Sequence, residues 1–369
     1  MERPIFKPIG TPEIELDTPA LVVDIHNLEN NINKMASFFA KSNAKLRPHV
    51  PAHGSPAIAH KQLDAGGTLG GISTATVGQA EVFASYGFKD IFICNLVVTR
   101  EKARRLCAIA KRSTVTVAVD SPLGVTMLSE AAVANHVILK VVLYLKTAYS
   151  EIGVSPGNDA VELSKKVQES DGLDFKGLMA YEGPILSENY ESLVETSRKT
   201  TQPVLDTRED IENAGFDVEV VSIGGTYNYE IVGNTDGVTE VPAGSYALMD
   251  ERYRLHRSEF STAAHVLTCV TSMPAPGNII TDGGRKTMGG DDSDPGIVGL
   301  DGASVRGLSA EHFGIDVDPD LQHGLKLADR VWAVPGDIAS CVNVHDYMFV
   351  IQDDELEAIW DLPARGQFR

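Results

Sequence analysis

The chain has 369 residues, of which 43% are hydrophobic and 22% charged, as expected of a globular protein with two domains or one large barrel with an appendage. Its formal net charge of −19 argues against nucleic acid as a partner, because phosphate binding needs clustered Lys and Arg. Four scattered cysteines without a CxxC pair, no signal peptide and no apolar run of roughly 20 residues predict a cytoplasmic protein with reduced thiols and no membrane partner.

Helical and β-rich segments alternate along the first two thirds of the chain. Apolar residues at spacings of three and four, from Ile25 to Phe39, indicate the first helix. Strand-like runs then recur at 46–50, 71–74, 91–94, 115–119, 137–145, 178–181, 218–223 and 240–248. Helical patterns separate most of them, at 78–85, 100–111, 160–170 and 188–206.

This alternation favours a parallel barrel. Several runs are apolar almost throughout, as parallel strands buried on both faces must be. We therefore predict an α/β fold, with a parallel (β/α)8 barrel over residues 18–252 and its chemistry at the C-terminal strand ends. An open doubly wound sheet is the alternative, but no GxGxxG follows the first strand. Short β-branched segments separated by Pro, Gly and Asp then predict a mostly antiparallel β domain over 253–369, joined by 1–17.

Two strand ends carry side chains suited to ligand binding. Arg47 and His49 alternate along one strand and should face the interior of the barrel. There His49 either contacts a ligand or is a hydrogen-bonded core histidine. Tyr181 and Glu182 end another strand, where they could position a proton or a ring.

A glycine turn follows the strand-like run that ends at Ile223. Backbone N–H groups freed by Gly224-Gly225-Thr226 could form an anion-binding nest suited to a phosphate group. A plain connection between strand and helix is the alternative for the same residues.

Several short motifs, in this order, resemble the D-threonine aldolase and D-serine dehydratase-like family. They are Asp17-Thr18-Pro19-Ala20, Arg47-Pro48-His49, Gly78-Gln79-Ala80-Glu81, Tyr181-Glu182-Gly183, Gly224-Gly225-Thr226, Ala243-Gly244-Ser245-Tyr246, Asp282-Gly283-Gly284-Arg285-Lys286 and Asn343-Val344-His345-Asp346. The resemblance implies a pyridoxal phosphate (PLP) barrel of the alanine-racemase type followed by a β domain. It also implies a divalent metal, a homodimer, and a small-molecule substrate, a β-hydroxy-D-amino acid that is cleaved or dehydrated.

The resemblance also implies roles for individual residues. The cofactor-binding residues would be Arg47, Gly224, Gly225, Thr226, Tyr246 and Asp282, and the general base would be His49, His53 or Tyr181. Relatives usually have a third glycine and a further small residue in the glycine turn. This chain has Ile223 and Tyr227 at those positions, and their larger side chains would leave less space for a phosphate group in the nest.

The lysine that binds PLP in the family is missing here. It stands two residues after the first His of Arg-Pro-His, where this chain has Pro51, which has no amine. Lys146, near the C-terminal end of a strand and on its inward face, is the best replacement, because its pKa would fall in an apolar pocket. An ordinary ion pair between Lys146 and Glu151 is the alternative.

The metal ligands of the family are altered too. Relatives present a His and, two residues later, a Cys or Asp, whereas this chain has Asp337 and Ala339. Asp337 can offer oxygen to Mg or Mn, and Cys341, His345 or Asp346 could complete a rearranged site. A thiolate together with an imidazole would favour Zn.

The sequence therefore predicts a lyase of the aldolase or dehydratase type with altered or lost PLP dependence. In one version PLP binds without the lysine, or with Lys146 in its place. In the other, pocket acids and bases, with or without a cation, polarise the carbonyl of a substrate that carries its own electron sink. A non-catalytic barrel that binds a small ligand or partner is the alternative from another class. Racemisation is a weaker third idea, because barrel racemases rely on the missing lysine.

Overall fold

The computed structural model describes residues 6–184, 187, 189–290, 293–319 and 324–369. They form two compact units. The first comprises Asn33–Pro51, Ile58–Gly244 and Gln367–Arg369, and the second comprises Ala52–Ala57, Ser245–Gly366 and the described residues up to Ile32. No helix in these described ranges combines the length and the apolar character needed to cross a membrane.

The first unit is the predicted parallel barrel. Eight strands of its described residues pair side by side, all in parallel. In spatial order they are β2 (Lys45–Pro48), β9 (Glu240–Ala243), β8 (Val220–Ile223), β7 (Leu173–Ala180), β6 (Leu139–Leu145), β5 (Thr114–Val119), β4 (Asp90–Leu96) and β3 (Ile72–Thr74). Bridges from Leu46 to Thr68 and from His49 to Ser73 join the two ends of this order and close the barrel.

The interior of the barrel is packed with side chains of alternate residues on neighbouring strands. Phe92, Ala118, Val142, Tyr144 and Met179 form one buried cluster. This explains why the strands read as apolar runs, since their other face is covered by helices. The helices along this part of the chain are α1 (Ile25–Lys41), α2 (Pro56–Asp64), α3 (Val77–Ser85), α4 (Arg100–Ala110), α5 (Pro122–Asn135), α6 (Asn158–Gln168), α7 (Tyr190–Asn213) and α8 (Tyr229–Val232).

Side-chain caps fix where several of these helices begin. The hydroxyls of Thr76, Thr99 and Ser121 accept hydrogen bonds from backbone N–H groups in the first turns of α3, α4 and α5. The predicted helix 188–206 corresponds to α7, although residue 188 itself lies outside the described residues. This helix continues past Pro203 to Asn213, beyond its predicted end.

The second unit contains a mostly antiparallel sheet, as predicted. Among the described residues it has nine strands, and the pairing of β1 with β16 is parallel. Its elements are β1 (Ala20–Asp24), α9 (Glu251–Arg254), β10 (Ala264–Ala275), β11 (Asn278–Thr281), α10 (Arg285–Met288), β12 (Gly296–Ile297), β13 (Ser304–Leu308), β14 (Phe313–Asp316), β15 (Arg330–Val334), α11 (Ile338–Asn343), β16 (Tyr347–Gln352) and β17 (Glu355–Asp361). The predicted boundary at residue 18 differs from this arrangement, because β1 pairs with β10 and β16 in this sheet.

Candidate active site

A buried carboxyl group lies at the C-terminal ends of β7 and β8. Glu182 follows β7 by two residues, and the residue is 6% exposed. The hydroxyl of Tyr227 donates a hydrogen bond to Glu182 Oε1, and Asn228 Nδ2 donates to the same oxygen at 3.4 Å. Glu182 Oε2 is buried and has no hydrogen-bond partner in the described part of the chain. A buried unpaired carboxylate oxygen is costly, so a proton or a ligand donor at Oε2 would stabilise the site.

Burial shifts the pKa values of several titratable groups around Glu182. Burial raises the pKa of Glu182, and the hydrogen bonds from Tyr227 and Asn228 offset this only in part. Tyr144, on β6, is buried, and its burial together with the nearby Cys94 and Glu182 raises the pKa of Tyr144 to about 12. Burial also raises the pKa of Cys94 to about 12. At neutral pH the phenol and the thiol therefore keep their protons, whereas a carboxyl of raised pKa is suited to general acid–base work.

His49 lies at the end of β2, elsewhere on the same edge of the barrel. Its backbone N–H donates to the carbonyl of Ala243 at 2.9 Å, and its Nδ1 lies 3.1 Å from Ser73 Oγ. Burial lowers the pKa of His49 to about 4, so the imidazole is neutral at pH 7 and can accept a proton. In the order of strands around the barrel, β9 and β8 lie between β2, which His49 follows, and β7, which precedes Glu182.

Arg47 contacts two carboxylates inside the barrel. Its Nε donates to Glu240 Oε2 at 2.7 Å and its Nη1 to Asp90 Oδ1 at 3.0 Å. Burial disfavours the charge, but Glu240 and Asp90 outweigh this and raise the pKa of Arg47. Asp90 and Glu240 are the first residues of β4 and β9, so the guanidinium reaches toward the N-terminal strand ends. Its predicted contact with a cofactor stays a prediction.

The glycine turn after β8 has the backbone of a nest, but side chains of this chain occupy it. Gly224 has a φ of +85°, which glycine adopts readily. The N–H of Gly225 donates to Asn228 Oδ1 at 3.0 Å. A Cβ on Gly225 would lie 3.1 Å from Tyr227 Cε1, so the ring packs directly on the turn. Thr226 is buried beside it.

Neither Pro51 nor Lys146 supplies an amine in an apolar pocket. Pro51 lies in a 3-10 turn formed by Val50–Ala52. Lys146 is 41% exposed, and its Nζ lies 3.8 Å from Glu151 Oε2, which matches the ion-pair alternative. Tyr181 is also partly exposed, next to Glu182. With no amine at Pro51 and with Gly225 N–H already bonded, the residues present do not fit PLP.

Three of the predicted catalytic and cofactor-binding residues lie in the second unit and have partners there. His53 is fully buried, and its Nδ1 accepts the N–H of Ser55 at 3.2 Å. The Tyr246 ring packs against Phe260, with 5.8 Å between ring centroids. Asp282 Oδ2 accepts from the Thr18 hydroxyl at 2.6 Å, while Oδ1 accepts the N–H of Cys269 at 2.8 Å. Their roles toward a substrate or cofactor stay predictions.

The predicted metal ligands form other contacts. Asp337 caps α11, accepting from the N–H of Ser340, and its Oδ1 lies 3.1 Å from Arg252 Nη2. His345 Nε2 lies 2.9 Å from the Thr287 carbonyl and therefore carries the proton as a donor to it. Within the described residues, no group of three or more His, Cys, Asp or Glu side chains could hold a metal ion. These residues do not fit a divalent metal site.

Sequence reasoning missed Tyr144 and Asn228 as parts of the site. Tyr144 has a signal, since it precedes Lys146 by two residues and so shares its inward face. Asn228 has almost none, because its amide contacts Ser197 and Glu182, which are 31 and 46 residues away.

A closed parallel barrel with polar groups at the C-terminal strand ends, in a chain that also builds an antiparallel β domain, defines the alanine-racemase-like class of proteins. The family described as "Alanine racemase, N-terminal domain" matches residues 23–251, and "Putative serine dehydratase domain" matches residues 263–351. The chain belongs to the alanine racemase N-terminal domain family.

Similar proteins agree with this assignment over nearly the whole chain. A D-threonine aldolase of Arthrobacter sp. is 30% identical over 364 residues, which are 97% of this chain and 95% of that protein. A 3-hydroxy-D-aspartate aldolase of Paracoccus denitrificans (strain Pd 1222) is 31% identical over 371 residues, 97% of this chain and 94% of that protein. The crystal structure of D-threonine aldolase from Filomicrobium marinum matches with a TM-score of 0.93 and 29% identity, covering 98% of this chain and 99% of the other. The predicted resemblance is confirmed.

Proposed function

We propose that the protein is a lyase of the aldolase or dehydratase type that acts on a β-hydroxy amino acid or a related β-hydroxy carbonyl compound without lysine-bound PLP. The observation that carries the proposal is Glu182, a buried carboxyl of raised pKa at the C-terminal edge of the barrel. Active sites of such barrels lie at this edge. The aldolase names of two relatives and the dehydratase description of the second family domain support the reaction class.

The proposed reaction divides the work among the residues of this edge. In the cleavage direction, Glu182 accepts the proton of the β-hydroxyl, the Cα–Cβ bond breaks, and its electrons move onto the substrate's own carbonyl group. The Tyr144 hydroxyl, which keeps its proton, donates a hydrogen bond to the resulting enolate oxygen. Glu182 then returns the proton to Cα, which releases an aldehyde and the shortened carbonyl compound.

The same groups serve elimination of water. The neutral imidazole of His49 takes the Cα proton, and Glu182, when protonated, donates its proton to the leaving β-hydroxyl. Tyr227 and Asn228 hold Oε1, which leaves Oε2 for proton exchange. A substrate with a ketone or aldehyde suits this chemistry better than a simple amino acid, because its carbonyl serves as the electron sink.

A non-catalytic barrel that binds a small ligand is the second candidate function. Pro51 and the occupied glycine turn favour it, because both contacts that would anchor PLP are absent. Formation of product from a substrate would favour the lyase, and binding without product would favour the non-catalytic barrel.

The test is an assay of PLP-free protein on paired substrates. We expect aldehyde release from both substrates by cleavage, or, by dehydration, an α,β-unsaturated ketone from the β-hydroxy ketone and a keto acid plus ammonia from the β-hydroxy amino acid. The rate should be unchanged when PLP is added. Products are measured by mass spectrometry, with heat-denatured protein as the control. Binding of these compounds without any product, with or without PLP, would contradict the lyase proposal and favour the ligand-binding barrel.

Lys146 offers a separate prediction about PLP. Lys146 is partly exposed and lies beside Glu151, so it has no special affinity for PLP. We therefore expect Lys146→Met to lose only the label on residue 146 and to keep the same PLP labelling at every other lysine. The measurement is borohydride reduction with PLP followed by peptide mass mapping. Lys165 has a side chain as exposed as that of Lys146, so Lys165→Met is the matched control variant. Strong labelling of the wild type at Lys146 alone would show that this lysine replaces the missing amine.

A further inference from the structure

Side chains of this chain close the turn that would receive a phosphate group. In a phosphate-binding turn, several backbone N–H groups point at the anion. Here the N–H of Gly225 is bonded to Asn228 Oδ1, and the Tyr227 ring packs on the same glycine. We call Tyr227 and Asn228 the plug.

The plug is held firmly. Asn228 is fully buried, and its Nδ2 donates to Ser197 Oγ at 3.1 Å as well as to Glu182. Tyr227 is 2% exposed and donates to Glu182. An incoming phosphate would have to displace an amide whose oxygen and nitrogen are both hydrogen-bonded, which leaves buried polar groups unsatisfied.

The carboxyl group of Glu182, which contacts the plug, also disfavours binding of an anion. Glu182 contributes a carboxyl group, and the partners it contacts, Tyr227 and Asn228, are neutral. Phosphate sites supply Arg, Lys or unpaired N–H groups instead. A phosphate dianion beside Glu182 would either be repelled or force the carboxyl to take up a proton.

We infer that the plug and Glu182 exclude phosphate, so that the barrel binds an unphosphorylated ligand and holds PLP neither through a lysine nor through its phosphate. The inference rests on the proposed function for the class of ligand, a β-hydroxy carbonyl compound. Its test measures binding and not turnover, so the two proposals can fail separately. A protein that cleaves its substrate and also binds phosphate would overturn only this inference.

The test restores a lysine in two backgrounds. Pro51→Lys is made alone and together with Glu182→Gln, Tyr227→Ala and Asn228→Ala. PLP and pyridoxal are the probes, because they share the aldehyde and the ring and differ in the phosphate. Affinity is read from the aldimine absorbance at about 410–430 nm. We expect equal affinities for the two probes in Pro51→Lys, and about tenfold or greater preference for PLP once the plug is removed.

The controls keep the inference falsifiable. Pro51→Met should give no aldimine band in either background, since its side chain has no amine. A tenfold preference for PLP in Pro51→Lys alone would overturn the inference, and so would equal affinities in both backgrounds. If a lysine variant does not fold, equilibrium dialysis compares PLP and pyridoxal on the wild type and on Tyr227→Ala. Tenfold preference for PLP in that wild type would again overturn it.

Discussion

Arg47→Met is expected to lower the free energy of unfolding of the barrel by about 3–5 kcal/mol, because removing one partner of a buried ion pair leaves an uncompensated charge. Glu240 is almost fully buried, and its Oε1 has no hydrogen-bond partner among the described residues. The buried charge of Glu240 is therefore compensated by the hydrogen bond that Arg47 Nε donates to Oε2. Urea unfolding followed by far-ultraviolet circular dichroism, which reports on the helices of the barrel, measures the change.

Two further variants identify the cause of this loss. Arg47→Met combined with Glu240→Leu should recover part of the stability, since the pair is then replaced by apolar side chains. Arg104→Met removes an exposed partner of Glu101 and should change stability little. A wild-type-like Arg47→Met protein would mean that the buried pair does not support the barrel.

The barrel could be predicted because its strands are short apolar runs between helical patterns. The prediction of β7 began five residues late, at 178 instead of Leu173. Lys176 lies in that missed part and pairs with Asp174 at 3.1 Å and Glu219 at 2.6 Å, so charges conceal the strand in the sequence. The last predicted run, 240–248, was too long, because β9 ends at Ala243 and Ser245–Ala247 form a 3-10 turn.

The position of a site residue could be predicted only where the alternation of residues along its own strand determines which way the side chain points. Alternation along β2 correctly placed Arg47 inside the barrel, but not the carboxylates that it meets, which lie 43 and 193 residues away. Likewise, the sequence shows that Tyr227 is large for its place, but not that its hydroxyl meets Glu182 across 45 residues. Such contacts depend on which strands become neighbours, and local patterns do not contain that information.

The predicted homodimer and the roles of Tyr246 and Asp282 depend on the family resemblance and stay predictions. Asp282 has both carboxylate oxygens bonded to Thr18 and Cys269, so any contact with a ligand would be an additional one.

Glu182→Gln is expected to lower kcat by about 10²–10⁴-fold with a much smaller change in KM, because the amide keeps the shape of the carboxyl but cannot exchange a proton. Glu162→Gln, at an exposed carboxyl, should retain full activity. Tyr227→Phe gives a second reading. It removes a hydrogen bond that lowers the pKa of Glu182, so the pH–rate profile should move to higher pH. Equal losses for Glu182→Gln and Glu162→Gln would contradict a catalytic role.

The pH dependence of stability distinguishes a buried titrating carboxyl from a merely structural one. The pKa of Glu182 is raised above its ordinary value of 4.5 in the folded protein, so the folded state binds a proton that the unfolded state has already lost. Wild-type stability should therefore decline, relative to Glu182→Gln, as the pH rises from 4.5 through the folded pKa, and the difference should stay constant above it. Thermal unfolding of both proteins across this range measures the difference. If the two curves run parallel throughout, Glu182 is ionised as in water, and it then lacks the raised pKa that its proposed role in proton transfer requires.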